Sequence, residues 1–195
     1  MKKLITNNKN IRNLRDISLL DSKDKKLDNG KLIFNGQKLL NFSSNDYLGL
    51  SKDKKLILSS MNWTRNFGVG LASSRLVSGN LDKIGFIEKK ISELKKKEES
   101  LILGSGFQTN STLIPAVIEN NLGNRKKTTI FSDKLNHSSI YYGCILSKQK
   151  ILRYNHLDYN HLENLIKKER SDVQKIIISE TVFSMDGDIV DVKIM

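Results

Sequence analysis

The sequence predicts an α/β fold built on a mainly parallel sheet, and three observations carry that expectation. From about residue 30 onward, short β-branched runs alternate with segments whose apolar residues recur at helical spacing. The strand-like runs end in glycine or polar turns, and helix-period segments follow, which is the order of a βα crossover unit. A single proline, Pro115, and no Gly/Ser tract leave no flexible linker, and no internal repeat is visible.

In chain order, residues 1 to about 29 are polar, rich in Lys and Asn, and read as an arm or an N-terminal helix. The clearest helix covers 81–97, where Leu81, Ile84, Ile87, Ile91 and Leu94 recur every three or four residues while Lys and Glu fill the other side; the pattern predicts one face on a core. A strand at 101–103, a Gly104-Ser105-Gly106 turn, a helix through Leu113, Val117 and Ile118, and a strand at 128–131 make one unit. A helix over 138–146, a strand at 151–154, a helix around 162–166 and a strand at 175–179 make a second.

Lys and Arg number 33 against 21 Asp and Glu, giving +12, with 38% hydrophobic residues; this excludes a wholly disordered chain. Cys144 stands alone, so no intrachain disulfide forms and a reducing compartment, the cytoplasm, is expected. No apolar run nears the roughly 20 residues of a membrane span, and the basic start lacks a signal-peptide core. The lysines come in short runs with acids nearby and no Arg-aromatic stripe, which reads as solvated faces rather than a nucleic-acid surface.

Four segments have the residue types that chemistry needs. Gly104-Ser105-Gly106-Phe107 stands between a predicted strand and a helix; its amides and the positive helix end suit a phosphate, although a plain βα turn uses glycine as well. His137 follows a strand and opens a helix, where it can either reach a ligand at the carboxyl edge of the sheet or simply cap the helix. Residues 180–188 close the last strand with polar groups; Asp186 and Asp188 have the spacing of hard-cation ligands, but no full calcium-loop pattern follows and an Asp-Gly turn needs no metal, so none is expected. Asn41-Phe42-Ser43-Ser44-Asn45-Asp46-Tyr47-Leu48-Gly49-Leu50-Ser51 reads equally as a loop packed over a site or as an ordinary ordered loop.

Taken in order, the 41–51 loop, Ser74-Arg75-Leu76-Val77-Ser78-Gly79, Ser105-Gly106-Phe107, Leu135-Asn136-His137-Ser138-Ser139 and Val182-Phe183-Ser184-Met185-Asp186-Gly187-Asp188 resemble the α-oxoamine synthases. These are pyridoxal 5'-phosphate enzymes of the aminotransferase-like, type I fold. The resemblance covers about residues 30 to 192. It implies a three-layer, mainly parallel sheet in truncated form, with an N-terminal arm over 1–45 and an incomplete large cofactor-binding domain over 46–195. The 41–51 loop is most similar to the branch that condenses L-alanine with a pimeloyl thioester, carried on coenzyme A or an acyl carrier protein, in biotin biosynthesis.

By this resemblance the Gly106 and Phe107 amides hold the cofactor phosphate, His137 stacks on its pyridine ring and also faces the substrate, Ser184 lies near the ring substituents, and Asn45 lies near the substrate. It further implies a homodimer in the full-length enzyme, with neither nucleic acid nor membrane as partner. Two departures stand out. Ile84 replaces a histidine usual in the family, and no Asp-x-x-His or Thr-x-x-Lys segment follows Glu180, so the Schiff-base lysine is absent and no catalytic residue is assigned. The chain accordingly resembles the N-terminal part of such an enzyme. The alternatives are a non-catalytic remnant, a subunit completed by a second chain, or a synthase of the 5-aminolevulinate or 2-amino-3-ketobutyrate type.

Overall fold

A computed structural model describes residues 15–18, 30–121 and 127–195. The expected arm or helix before residue 30 lies outside the described residues, apart from 15–18, of which Ser18 forms an antiparallel bridge with Ile33. The chain divides into two units, Met1–Leu81 and Asp82–Met195.

In the first unit, β1 (Lys31–Phe34) and β2 (Gln37–Leu40) form a hairpin in which Phe34 pairs with Gln37. That register leaves Asn35-Gly36 as a two-residue turn. Both have positive φ, 48° and 76°, as a turn matching the strand twist requires, and Asn-Gly is the pair that tolerates this best. Helix α1 (Lys54–Phe67) starts at Asp53, whose carboxylate accepts from the Lys55 and Leu56 amides at 2.9 and 3.0 Å. Neither the hairpin nor α1 is among the predicted elements, although both signals, Asn-Gly and the Asp cap, stand in the sequence.

The second unit contains α2 (Asp82–Lys95), α3 (Gly106–Asn121), β3 (Thr128–Asp133), α4 (Ser138–Leu146), β4 (Lys150–Tyr154), α5 (Tyr159–Lys168) and β5 (Gln174–Ile178). The three strands are parallel in the order β4-β3-β5. Alternation along the strands separates two cores. Ile130, Ile151, Ile176 and Ile178 pack with Ile118 of α3 and with Ile140 and Cys144 of α4. Phe131, Leu152, Tyr154 and Ile177 pack on the other side with Leu162, Leu165 and Ile166 of α5. Helix, sheet and helix thus form the three predicted layers. Each fully buried large side chain, Phe131 among them, contributes roughly 1.5–3 kcal/mol.

Helices α3 and α4 approach closely because residue 143 is glycine: a Cβ there would lie 2.4 Å from the Asn110 carbonyl oxygen and 2.9 Å from Ile114 Cδ1. Two expectations need correction. Residues 101–103 form no strand; a strand exists only through its ladder, and no described strand pairs with them, while Ile102 instead donates its amide to Glu88 Oε1 at 2.7 Å. Helix α2 is present, but its apolar stripe is not on a core: Ile87, Ile91 and Leu94 are exposed and only Ser92 is buried, because the second unit's cores are built by the other helices.

Candidate functional site

The carboxyl ends of the parallel strands gather the polar groups of the second unit, as the geometry of open α/β sheets predicts. His137 lies four residues past β3, His156 two past β4, and Glu180 two past β5. The N-termini of α3 and α4 are joined to this edge by hydrogen bonds.

At α3, the hydroxyl oxygen of Ser105 accepts from the Gln108 amide at 3.1 Å, and the first intrahelical bond runs from the Thr109 amide to the Ser105 carbonyl at 2.9 Å. Gln108 Oε1 accepts from the Gly104 amide at 3.0 Å, which closes the turn. The amides of Gly106 and Phe107, first in the helix, find no acceptor among the described residues. A Cβ at Gly106 would meet nothing within 4 Å. Phe107 packs its ring against Tyr142 of α4 with centroids 5.8 Å apart.

His137 caps α4: its Nδ1 accepts from the Ser139 amide at 3.2 Å and lies 2.7 Å from the Ser139 hydroxyl. Asn110 of α3 donates to that same hydroxyl at 2.9 Å, so Gly106–Phe107 and His137 belong to one hydrogen-bonded assembly. The His137 amide donates to Glu180 Oε1. Beside it, Asn136 Nδ2 donates to Ser132 Oγ at 3.0 Å and to the Ile178 carbonyl at 2.8 Å, which ties β3 to β5. Its Oδ1 is buried with no hydrogen-bond partner among the described residues.

A second cluster sits at the end of β3. Asp133, 1% exposed, accepts from the Leu135 and Leu157 amides at 2.8 and 3.1 Å and faces His156 Nδ1 at 2.9 Å. His156 Nε2 reaches Asp188 Oδ2 at 3.2 Å, and the buried Phe183 ring meets the imidazole edge-on at 4.4 Å. Burial opposes the charged imidazolium, but the hydrogen bonds it donates to Asp133 and Asp188 outweigh this and raise the His156 pKa.

Of the sequence-predicted site residues, the structure brings Gly106, Phe107 and His137 together. Ser184 is exposed in a turn closed by bonds between Phe183 and Asp188 and from the Gly187 amide to the Phe183 carbonyl. Asn45 belongs to the first unit, exposed in the 41–51 loop. That loop is stitched by its own short side chains: Asn41 and Ser44 accept from the amides of Ser43 and Asp46, and Asp46 binds the Ser51 hydroxyl at 2.5 Å. The Ser51 hydroxyl holds the Asp46 carboxyl below its usual pKa. Asp188, considered at sequence level as part of a cation pair, is engaged by His156 instead, and no described group of three His, Cys, Asp or Glu has metal-ligand geometry. Sequence reasoning named Glu180 only as part of the polar close of the last strand and missed the roles of His156 and Asp133; the rule that singled out His137, a polar residue at a strand's carboxyl end, applies to each of them.

The sequence profile of aminotransferase class I and II matches residues 37–193. A putative 8-amino-7-oxononanoate synthase of Magnetococcus marinus is 44% identical over 168 residues, which is 85% of this chain and 42% of that protein. The 8-amino-7-oxononanoate synthase of Gluconacetobacter diazotrophicus is 38% identical over 80% of this chain and 40% of its own length. Among solved structures, serine palmitoyltransferase of Sphingomonas wittichii superposes with a TM-score of 0.75 at 27% identity, covering 85% of this chain and 40% of that one. The 8-amino-7-oxononanoate synthase of Francisella tularensis gives 0.59 at 26% identity, covering 76% and 39%. Serine palmitoyltransferase of S. paucimobilis, solved with a bound PLP–myriocin aldimine, shares the fold with a TM-score of 0.75 at 21% identity. The chain spans about two fifths of the length of the curated relatives it matches. The ordered motifs, the three-layer parallel sheet and these likenesses agree: the chain belongs to the aminotransferase class I and II family, with the α-oxoamine synthases as its relatives.

Proposed function

We propose that this chain forms the cofactor-holding part of an 8-amino-7-oxononanoate synthase, which condenses L-alanine with a pimeloyl thioester, with loss of carbon dioxide, in biotin biosynthesis. The names of the relatives at 38–44% identity support that branch over other α-oxoamine synthases. The observation that carries the reading is the joining of two open helix-start amides, Gly106 and Phe107, to the His137 ring through Asn110 and Ser139.

This arrangement fits pyridoxal 5'-phosphate. Two free amides at the positive end of a 16-residue helix suit the phosphate dianion, and a flat imidazole held at the neighbouring helix start suits a heteroaromatic ring face. In this reading Gly106 and Phe107 hold the phosphate, His137 packs on the ring and faces the substrate, Ser184 approaches the ring substituents and Asn45 the substrate. Once bound, the cofactor supplies the electron sink at the substrate carbon. The chain's own residues bind and orient it. The lysine that such chemistry needs stands in a Thr-x-x-Lys context that does not follow Glu180 in these 195 residues, and the 195-residue polypeptide alone is expected to bind cofactor without turnover. The assembled enzyme is a cytoplasmic homodimer in this proposal.

The test is equilibrium binding of pyridoxal phosphate and of inorganic phosphate to the wild type and to Gly106→Asp, which places a carboxylate before the two amides. Binding to the wild type and its loss in the variant are expected; equal affinities sink the proposal. Borohydride reduction with the cofactor, followed by peptide mapping, tests the second part. Stoichiometric labelling of one lysine together with alanine-dependent thiol release from the acyl donor would overturn the absence of turnover.

A further inference from the structure

The bonds around His137 have a direction. A backbone N–H only donates, so the Ser139 amide, 3.2 Å from Nδ1, requires a lone pair on that nitrogen. A side-chain amide nitrogen also only donates, so the Ser139 hydroxyl accepts from Asn110 at 2.9 Å and has its own proton free for Nδ1, 2.7 Å away. Asn110, Ser139 and His137 thus form a chain of donors that ends on one ring nitrogen. A proton on Nδ1 would meet the Ser139 backbone N–H, which cannot accept it, and would force the Ser139 hydroxyl to turn its own proton away from the ring. Ser139 is 1% exposed, so water does not compete for these bonds.

We infer that Ser139, with Asn110 behind it, is a positioning residue that fixes His137 as the tautomer protonated on Nε2 and sets the plane of its ring. The ring is held at its Nδ1 side against the start of α4, and Nε2–H is left as its one outward donor. If Asn110 were turned to offer its oxygen, it would draw the Ser139 proton away and leave His137 the backbone donor alone. Asn110 therefore acts on the ring only through Ser139. The inference rests on the reading that His137 packs against the cofactor ring, because only then does a fixed ring plane alter affinity for that group.

The test uses the full chain. Long-range proton–nitrogen spectra of labelled histidine at about pH 8, where a free imidazole is neutral, report the tautomer without any cofactor. Wild-type His137 should show a bare Nδ1 and a protonated Nε2; a protonated Nδ1 overturns the inference. Ser139→Ala leaves the backbone amide as the sole donor to Nδ1, so it should raise the population of the other tautomer above that of the wild type and weaken pyridoxal phosphate binding by about 3- to 10-fold, as loss of one buried hydrogen bond implies, with inorganic phosphate affinity unchanged. Asn110→Ala should have a smaller effect, and the double variant should be no worse than Ser139→Ala. If Ser139→Ala fails to fold, the wild-type spectrum and Asn110→Ala decide. Unchanged tautomer populations and unchanged cofactor affinity in the variants refute the role. A wild type that binds neither phosphate nor cofactor refutes the proposed function, and the spectrum still decides the inference.

Discussion

His156 Nδ1 lies 2.9 Å from the buried carboxylate of Asp133, while its other nitrogen faces Asp188 at 3.2 Å. An imidazole with a carboxylate at each nitrogen satisfies both only when doubly protonated. The charged ring therefore fastens the turn between Phe183 and Asp188, which includes Ser184, to the end of β3.

The sign of the pH dependence follows. The folded pKa of His156 is raised, so its contribution to stability is fully present below the unfolded value of about 6.5 and is lost as pH rises through the folded value. Asp188→Asn, at a half-exposed carboxylate, should destabilise by about 0.5–1 kcal/mol at about pH 6 and by less at about pH 9. Urea titrations at the two pH values measure this; a difference that grows with pH contradicts the doubly protonated ring.

Two glycines should respond in opposite ways to alanine. At Gly143 the new Cβ would sit 2.4 Å from the Asn110 carbonyl, so the α3–α4 pair must part, at a cost of about 1–3 kcal/mol. At Gly106 the Cβ meets open space, and stability should stay within about 0.5 kcal/mol. Thermal melts of both variants decide, and equal melting temperatures would contradict the packing described.

The parallel sheet was legible because its strands are short apolar or β-branched runs such as Ile176-Ile177-Ile178, with β3 buried along its whole length, and the helices between them keep a helical period. Residues 101–103 looked the same locally, but strand formation depends on a partner that local pattern does not encode. Gly106, Phe107 and His137 were visible because a helix start and a strand end are local features. The Asp133–His156–Asp188 cluster joins residues 23 and 32 positions apart, a proximity that the pairing of β3 with both β4 and β5 creates.

Acid should expose a different pair. Lys150 Nζ lies 2.6 Å from Glu169, which also accepts from the Thr129 hydroxyl at 3.0 Å. The hydrogen bond from Lys150, above all, lowers the Glu169 pKa. Its contribution is therefore present above the unfolded carboxylate value of about 4.3 and lost as pH falls through the folded value. Glu169→Gln should flatten the stability profile in that acid window and leave its slope near neutrality unchanged. An unaltered acid profile in denaturant titrations would show that the pair does nothing for the fold.

Cys144, the chain's one thiol, should report the opening of α4. It is fully buried among Ile118, Ile130 and Ile140, and that burial raises its pKa. Two effects then oppose modification: reagent cannot reach the sulfur, and the thiolate that would attack is disfavoured. Native chain should react with a thiol reagent at about pH 8 at least about 100-fold more slowly than unfolded chain, as an opening free energy near 3 kcal/mol implies. Gly143→Ala, which wedges α3 from α4 beside this residue, should raise the native rate several-fold, and Glu169→Gln, on the far side of the sheet, should not at neutral pH. The labelling rate of the wild type under native conditions is the measurement. A native rate equal to that of the unfolded chain would mean that α4 does not close over the sheet, and with it the placement of His137 at the start of that helix would fail.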